Sequence, residues 1–125
     1  MIFTGQIENE EVNEHLNSSR VAVFPSLFDN FPYVVLEAMS TGINIVGSKN
    51  SGMVEMLNDN DAIYDTGNYE DLAKKIILEY EKSFIEEINQ KNIERVKKEY
   101  NSSKIVKELL VIYKSVLDEY NKENK

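Results

Sequence analysis

PSLFDNFPYVVLEAMSTG, residues 25–42, decides the reading of this chain. Pro25 stops the apolar run VAVFPS before it, and Gly42 closes the segment. Pro32 stands at an expected first helical position and Gly42 just past the helix end, the usual punctuation of an α-helix. The run VVLEAM then predicts a buried helix, yet it carries a lone acid, Glu37. A second acid, Asp29, lies eight positions earlier, in the loop. A carboxylate removed from water is costly unless hydrogen bonds satisfy it, so both acids require a partner.

Outward from this stretch, short apolar runs alternate with helical patterns. MIFTG begins with a short run and ends in Gly; ENEEVNEHLNSS reads as a polar, exposed helix with Val12, Leu16 and His15 on one face. VAVFPS and INIVGS read as buried strands, SGMVEMLN as one or two helical turns, and DAIYDTG as a weak last strand. The order β-α-β-α-β-α-β over about residues 1–66 predicts a parallel sheet covered by helices. Residues 68–121 read as helical. In NYEDLAKKIILEYEK, Leu72, Ile76 and Tyr80 share a face with Ala73 and Ile77 beside them, and Asn68 is the expected cap. EEINQKNIERVKKEY repeats the pattern through Ile88, Ile93, Val96 and Tyr100. Ser102 or Ser103 is expected to cap a last helix striped from Val106 to Tyr120, and the tyrosines of these helices are expected in the core.

The loop FPSLFDN leads from a strand into a helix start, where ligands of α/β sheets bind. The N–H groups of Tyr33 and Val34 and the helix dipole suit a phosphate. Glu37, one turn along and near the face of Tyr33, could accept hydrogen bonds from the vicinal hydroxyls of a sugar, and Asp29 could serve a second sugar across the phosphate. Acid, phosphate site and acid in that order fit a nucleoside diphosphate sugar. The same residues also admit a plainer account. Asp29-Asn30 suits a turn or an Asx cap, and Glu37 could accept from backbone or a lysine.

Composition narrows the classes. A chain of 125 residues with 42% hydrophobic and 29% charged residues suits one globular domain, taken as residues 1–125. The net charge of −8, with no basic stripe before residue 90, excludes nucleic acid as the expected partner. No apolar run approaches the roughly 18 residues of a membrane span, and no signal peptide is visible. With no Cys, disulfides and thiolate metal sites are excluded and a cytoplasmic location is expected. No metal cluster is visible, and no cofactor is expected. His15, the sole His, reads as an exposed or half-buried helix residue rather than a catalyst.

PSLFDNFPYVVLEAMSTGINIV followed by SGMVEML closely resembles the signature of the glycosyl transferases group 1 family, retaining enzymes of the GT-B fold. IFTGQIENEEVNEHLNSSRVAVFPS and GNYEDLAKKIILEY extend the resemblance over most of the chain. It implies an incomplete C-terminal, donor-binding domain: a partial Rossmann-like parallel sheet followed by C-terminal helices. It implies transfer of a sugar from a nucleotide-sugar such as a UDP-sugar to an acceptor hydroxyl, in bacterial polysaccharide or glycoconjugate synthesis. By this resemblance Glu37 holds the ribose hydroxyls and Asp29 contacts the transferred sugar. Asn30, Phe31 and Pro32 touch sugar hydroxyls through backbone, and Tyr33 and Val34 lie beneath the diphosphate. Gly5, Gln6 and Ile7 form a weaker nucleobase region, while Gly52 and Glu55 match a structural Gly-x-x-Glu helix.

Departures from the family pattern are specific. The first acid is Asp rather than Glu, and Asn30 stands where Gly is usual. The resemblance implies that an N-terminal acceptor domain, the opening strand–helix units and their phosphate-binding Arg and Lys are missing, so the isolated chain is expected to be inactive. IFTG is then expected to pair beside AVFP, to pair with another chain or to fray. The open sheet edge or the last helix is expected to support a homodimer, and any membrane association falls to the missing domain. The alternative is a truncated or split non-catalytic module that works only by assembling with a partner chain.

Overall fold

Local signals place most elements where the chain was punctuated. A computed structural model describes residues 1–50, 52–84 and 89–123. In chain order these form α1 (Asn9–Ser18), β1 (Val21–Phe24), α2 (Tyr33–Thr41), β2 (Asn44–Ser48), α3 (Met53–Leu57), a 3-10 turn (Asn60–Ala62), β3 (Ile63–Tyr64), α4 (Tyr69–Lys82), α5 (Gln90–Glu99) and α6 (Ser102–Glu123). The chain clusters into two compact units, Met1–Ile93 and Glu94–Lys125.

The first unit holds a three-stranded parallel sheet in the order β1-β2-β3. The fold class is therefore α/β, a small parallel sheet followed by C-terminal helices, as expected. The expected first strand is absent: Met1, Ile2 and Phe3 are exposed and form no strand, so IFTG does not pair beside AVFP. Three apolar residues bury too little surface to hold a strand even against the open edge of β1.

The central strand β2 is buried along its whole length. Alternation sends successive side chains to opposite faces. On one face the Asn44 amide donates to the Glu79 carbonyl of α4 at 3.0 Å. On the other, a Cβ built on Gly47 would lie 2.9 Å from Met53 Sδ of α3. Helices thus cover both faces of β2. α2 turns Val35, Ala38 and Met39 inward and ends on Gly42, whose φ of 77° is the left-handed cap that glycine adopts without strain. Met39, Ile45, Met53 and Met56 are the largest fully buried side chains. Each contributes on the order of 1.5–3 kcal/mol relative to leaving it in water.

α4 starts where expected, with the Asn68 side chain accepting from the Asp71 N–H. Its inward face is rotated from the expected one. Glu79 is 2% exposed, whereas Ile77 and Tyr80 are exposed and Leu72 and Ile76 half-buried. Asn44 is the reason: its buried amide needs the Glu79 carbonyl, which rolls residue 79 to the sheet. The Glu79 carboxylate is satisfied by Lys82 Nζ at 2.8 Å. Burial draws the Lys82 pKa down, but hydrogen bonds to Glu79 and Asp61 and the charges of Glu79 and Asp59 outweigh this and hold it above its usual value. Tyr80 packs edge-on against Phe84, and the Arg20 guanidinium lies 4.3 Å from the Phe84 ring centroid.

Asn89 ties the start of α5 to the sheet. Its N–H donates to the Gly42 carbonyl at 2.7 Å, its amide to Asn44 Oδ1 at 3.3 Å, and its Oδ1 accepts from the Asn92 N–H. Ile88, expected on the apolar face of this helix, lies outside the described residues. In the second unit, α6 is capped by Asn101, which accepts from the Ser103 and Lys104 N–H groups, and not by either serine. An Asn one residue earlier reaches the same donors. The stripe from Val106 to Tyr120 is exposed throughout. Tyr69, Tyr80, Tyr113 and Tyr120 are exposed too, so the expectation of core tyrosines fails for these four.

Asn44→Ala removes the amide that bridges α4 and Asn89, leaving the Glu79 carbonyl with only the Ser83 N–H and the half-buried Asn89 amide without its Asn44 acceptor. It is expected to cost about 1–3 kcal/mol, read as a lower urea midpoint with an unchanged slope.

Candidate functional site

The site grows from the C-terminal end of β1. Pro25 ends the strand, and the chain arches through Leu27 and Phe28, both largely exposed, to Asp29. Ser48 Oγ, at the end of β2, donates to the Ser26 carbonyl at 2.5 Å. The Gly52 N–H donates to the Asp29 carbonyl at 2.8 Å.

Past the loop, α2 begins at Tyr33, one residue later than expected, with Pro32 as the N-cap residue. Proline has no N–H, so the reading of Pro32 as a silent position at the helix start survives this shift. No side chain caps the helix, and its first turn holds no acid. Val35 N–H closes back on the Pro32 carbonyl at 3.0 Å. The N–H groups of Tyr33 and Val34 have no partner among the described residues. They point their donors where the helix dipole is positive.

The two carboxylates differ in exposure. Glu37 is exposed, which corrects the expectation of a buried acid in an apolar helix. With Val35, Ala38 and Met39 inward, the helical period carries residue 37 outward beside Tyr33. Neither the Glu37 nor the Asp29 carboxylate has a partner among the described residues, so the cap and lysine-pair accounts of these acids do not hold. Asp29 is half-buried. The Phe31 and Tyr33 rings meet edge to face, 6.4 Å between centroids, beside the helix start.

At the same end of the sheet Lys49 is tied to Asp65 at 2.9 Å. The Asp65 hydrogen bond and charge hold its pKa above the usual lysine value. Among the described residues no group of three or more His, Asp or Glu side chains could hold a metal ion. Gly5, at φ 68°, and Gln6 are exposed, and Ile7 lines a cavity of about 250 Å³ beside α1 and β1 with Val12, Leu16 and Ala22. The structure thus brings Asp29 through Val34 and Glu37 together around one helix start, and sets Ile7 against α1 and β1. His15 is exposed, as expected, and its carbonyl accepts from Ser18 and Ser19 Oγ. Sequence reasoning passed over Ser48, a small polar residue ending an apolar strand, which gave no motif to read.

An unpartnered acid on each side of an uncapped helix start, at the carboxyl end of a parallel sheet, agrees with the family that the signature indicated. The glycosyl transferases group 1 profile matches residues 1–99. The chain belongs to this family. It is similar to a sulfoquinovosyl transferase, SQD2, of Arabidopsis thaliana, 29% identical over 80 residues, 60% of this chain and 16% of that protein. It is also similar to the serotype-specific mannosyltransferase WbdA of Escherichia coli, 30% identical over 74 residues, 59% of this chain and 9% of that protein. The chain therefore spans under a fifth of the length of either relative. Among the described residues no helix is long and apolar enough to cross a membrane.

Because the Glu37 side chain stands in water without a protein partner, Glu37→Ala should change stability by no more than about 0.5 kcal/mol. Glu79→Ala, which removes a buried acid and its hydrogen bond, should cost about 1–3 kcal/mol in the same urea titration. A large loss from Glu37→Ala would contradict the exposed placement.

Proposed function

We propose that this chain is the donor-binding portion of a retaining GT-B glycosyltransferase. The whole enzyme would transfer a hexose-type sugar from a nucleoside diphosphate sugar to an acceptor hydroxyl, in bacterial polysaccharide or glycoconjugate synthesis. The observation that carries this reading is the pair of unpartnered acids flanking the open start of α2. Both relatives are named for sugar transfer, which supports the class of substrate.

In this reading the diphosphate lies on the Tyr33 and Val34 N–H groups. Glu37 accepts from the two ribose hydroxyls, and Asp29 accepts from the transferred sugar, with the Asn30–Pro32 backbone alongside. The acceptor oxygen bonds to the anomeric carbon as the bond to the diphosphate breaks, and the acceptor proton passes to the departing diphosphate oxygen. Asp29 and Glu37 orient the donor and are not assigned a proton transfer, and no metal or other cofactor is invoked. Gly5, Gln6 and Ile7 remain the proposed nucleobase region, the less supported end. The dipole of one helix contributes only about 0.3–1 kcal/mol to anion binding. Cations and an acceptor domain would come from outside this chain, and the chain alone is proposed to be inactive and to bind donor weakly.

NMR titration with UDP- and GDP-sugars tests this. A dissociation constant on the order of millimolar is expected, with amide shifts concentrated from Asp29 to Glu37. Glu37→Ala, which leaves the fold intact, should weaken binding by about tenfold, the worth of a charged hydrogen bond. Absence of shifts in that segment at millimolar ligand, with either nucleotide, would refute donor binding by this chain.

A second reading, a non-catalytic module that assembles with a partner chain, is supported by α6, on which Val106, Leu109, Leu110, Tyr113, Val116, Leu117 and Tyr120 are all exposed. Apolar surface of this extent marks an interaction face. If a second copy covers it, sedimentation at micromolar concentration gives a dimer, and Leu109→Lys with Leu117→Lys gives a monomer. A wild-type monomer would rule self-association out.

A further inference from the structure

Asp29 is useful to a ligand only if the arch that carries it is held still. Contacts from Ser48 and Gly52, neither a charged residue, hold that arch. Ser48 is fully buried at the end of β2, and its hydroxyl fixes the Ser26 carbonyl. Gly52 opens α3, and its N–H fixes the Asp29 carbonyl. The two anchors bracket Leu27 and Phe28, which project into solvent.

The geometry at Gly52 is more demanding than a hydrogen bond. Its φ of −60° and ψ of −7° suit any residue, so glycine is not required for conformation. What requires it is space: a Cβ at position 52 would overlap the Asn30 carbonyl oxygen and press on the Asn30 carbonyl carbon. These are backbone atoms, so relief means moving the loop rather than turning a side chain. In open surroundings, alanine at such a φ and ψ would stabilise the chain by restricting its unfolded state. Here the sign is reversed by the loop that rests on the glycine.

We propose that Ser48 and Gly52 are positioning residues for the donor sugar, holding the Asp29–Asn30 backbone where the Asp29 carboxylate meets the transferred sugar. This rests on the donor-binding reading above. Glu37 projects from α2, which is seated separately by Val35, Ala38 and Met39. The two anchors therefore govern the sugar end of the donor and leave the nucleotide end alone.

The test compares affinities for UDP and UDP-glucose, and in parallel GDP and GDP-mannose, in the wild-type chain, Ser48→Ala and Gly52→Ala. The expected result is that whichever sugar nucleotide the wild type prefers over its free nucleotide loses that preference, the ratio falling toward one. Affinity for the free nucleotide should stay within about twofold. The ligand-free variants should show displaced Asp29 and Asn30 amide resonances. General destabilisation would lower both affinities together and leave the ratio unchanged, which would refute the positioning role. Retention of the preference in both variants would likewise refute it while leaving donor binding intact. A wild type that binds none of the four compounds would overturn the donor reading and this proposal with it. Should Gly52→Ala fail to fold, Ser48→Ala, which removes one oxygen and adds no bulk, carries the same readout.

Discussion

The first unit hangs on β2. Five residues long and buried throughout, it is the only strand paired on both sides among the described residues. Such a strand in a parallel sheet has no solvent face to spare for polar groups, yet β2 begins with Asn44 and ends with Ser48. Both are bonded to groups distant in the chain: Asn44 to the Glu79 carbonyl of α4 and to the Asn89 side chain, Ser48 to the Ser26 carbonyl of the loop after β1. The two polar ends therefore act as connectors. One fixes the roll of α4 and the start of α5, and the other fixes the loop that bears Asp29.

This arrangement separates a buried, paired acid from two acids that no protein group pairs among the described residues. The buried acid, Glu79, is neutralised by Lys82 and bound up with the packing of α4. Asp29 and Glu37 have no such partner among the described residues; Glu37 is exposed and Asp29 half-buried. An unsatisfied carboxylate is tolerable on a surface because water solvates it, and it stays available to a ligand's hydroxyls. The same logic applies to the Tyr33 and Val34 N–H groups, which have no partner among the described residues. The Gly52 contact adds the constraint that this open site has a fixed floor.

Much of this was legible in the sequence. Pro25, Gly42 and Asn68 mark boundaries because each acts on backbone within a few residues of itself, and the structure ends β1, ends α2 and starts α4 at these positions. The family signature was legible because it fixes residue types at set spacing. The faces of the helices were not. VVLEAM is apolar nearly all round, so its period could not say that Val35, Ala38 and Met39 turn inward and Glu37 outward. In α4 the apolar positions pointed to a face through Tyr80, but the requirement of Asn44 for a carbonyl rolled the helix toward Glu79.

By itself the sequence determined the alternation of strands and helices from β1 onward, the boundaries at Pro25, Gly42 and Asn68, and the family, because these follow from local backbone chemistry and from residue order. Only the tertiary structure decided that MIFTG forms no strand, that Glu37 is open while Glu79 is buried, and that Gly52 is required for space rather than for its φ. Each of these depends on what stands opposite in space: a sheet edge, a buried amide, a neighbouring carbonyl. Residues 30 and 52 are far apart in the chain, and only folding brings the Asn30 carbonyl against the place where a Cβ of residue 52 would be.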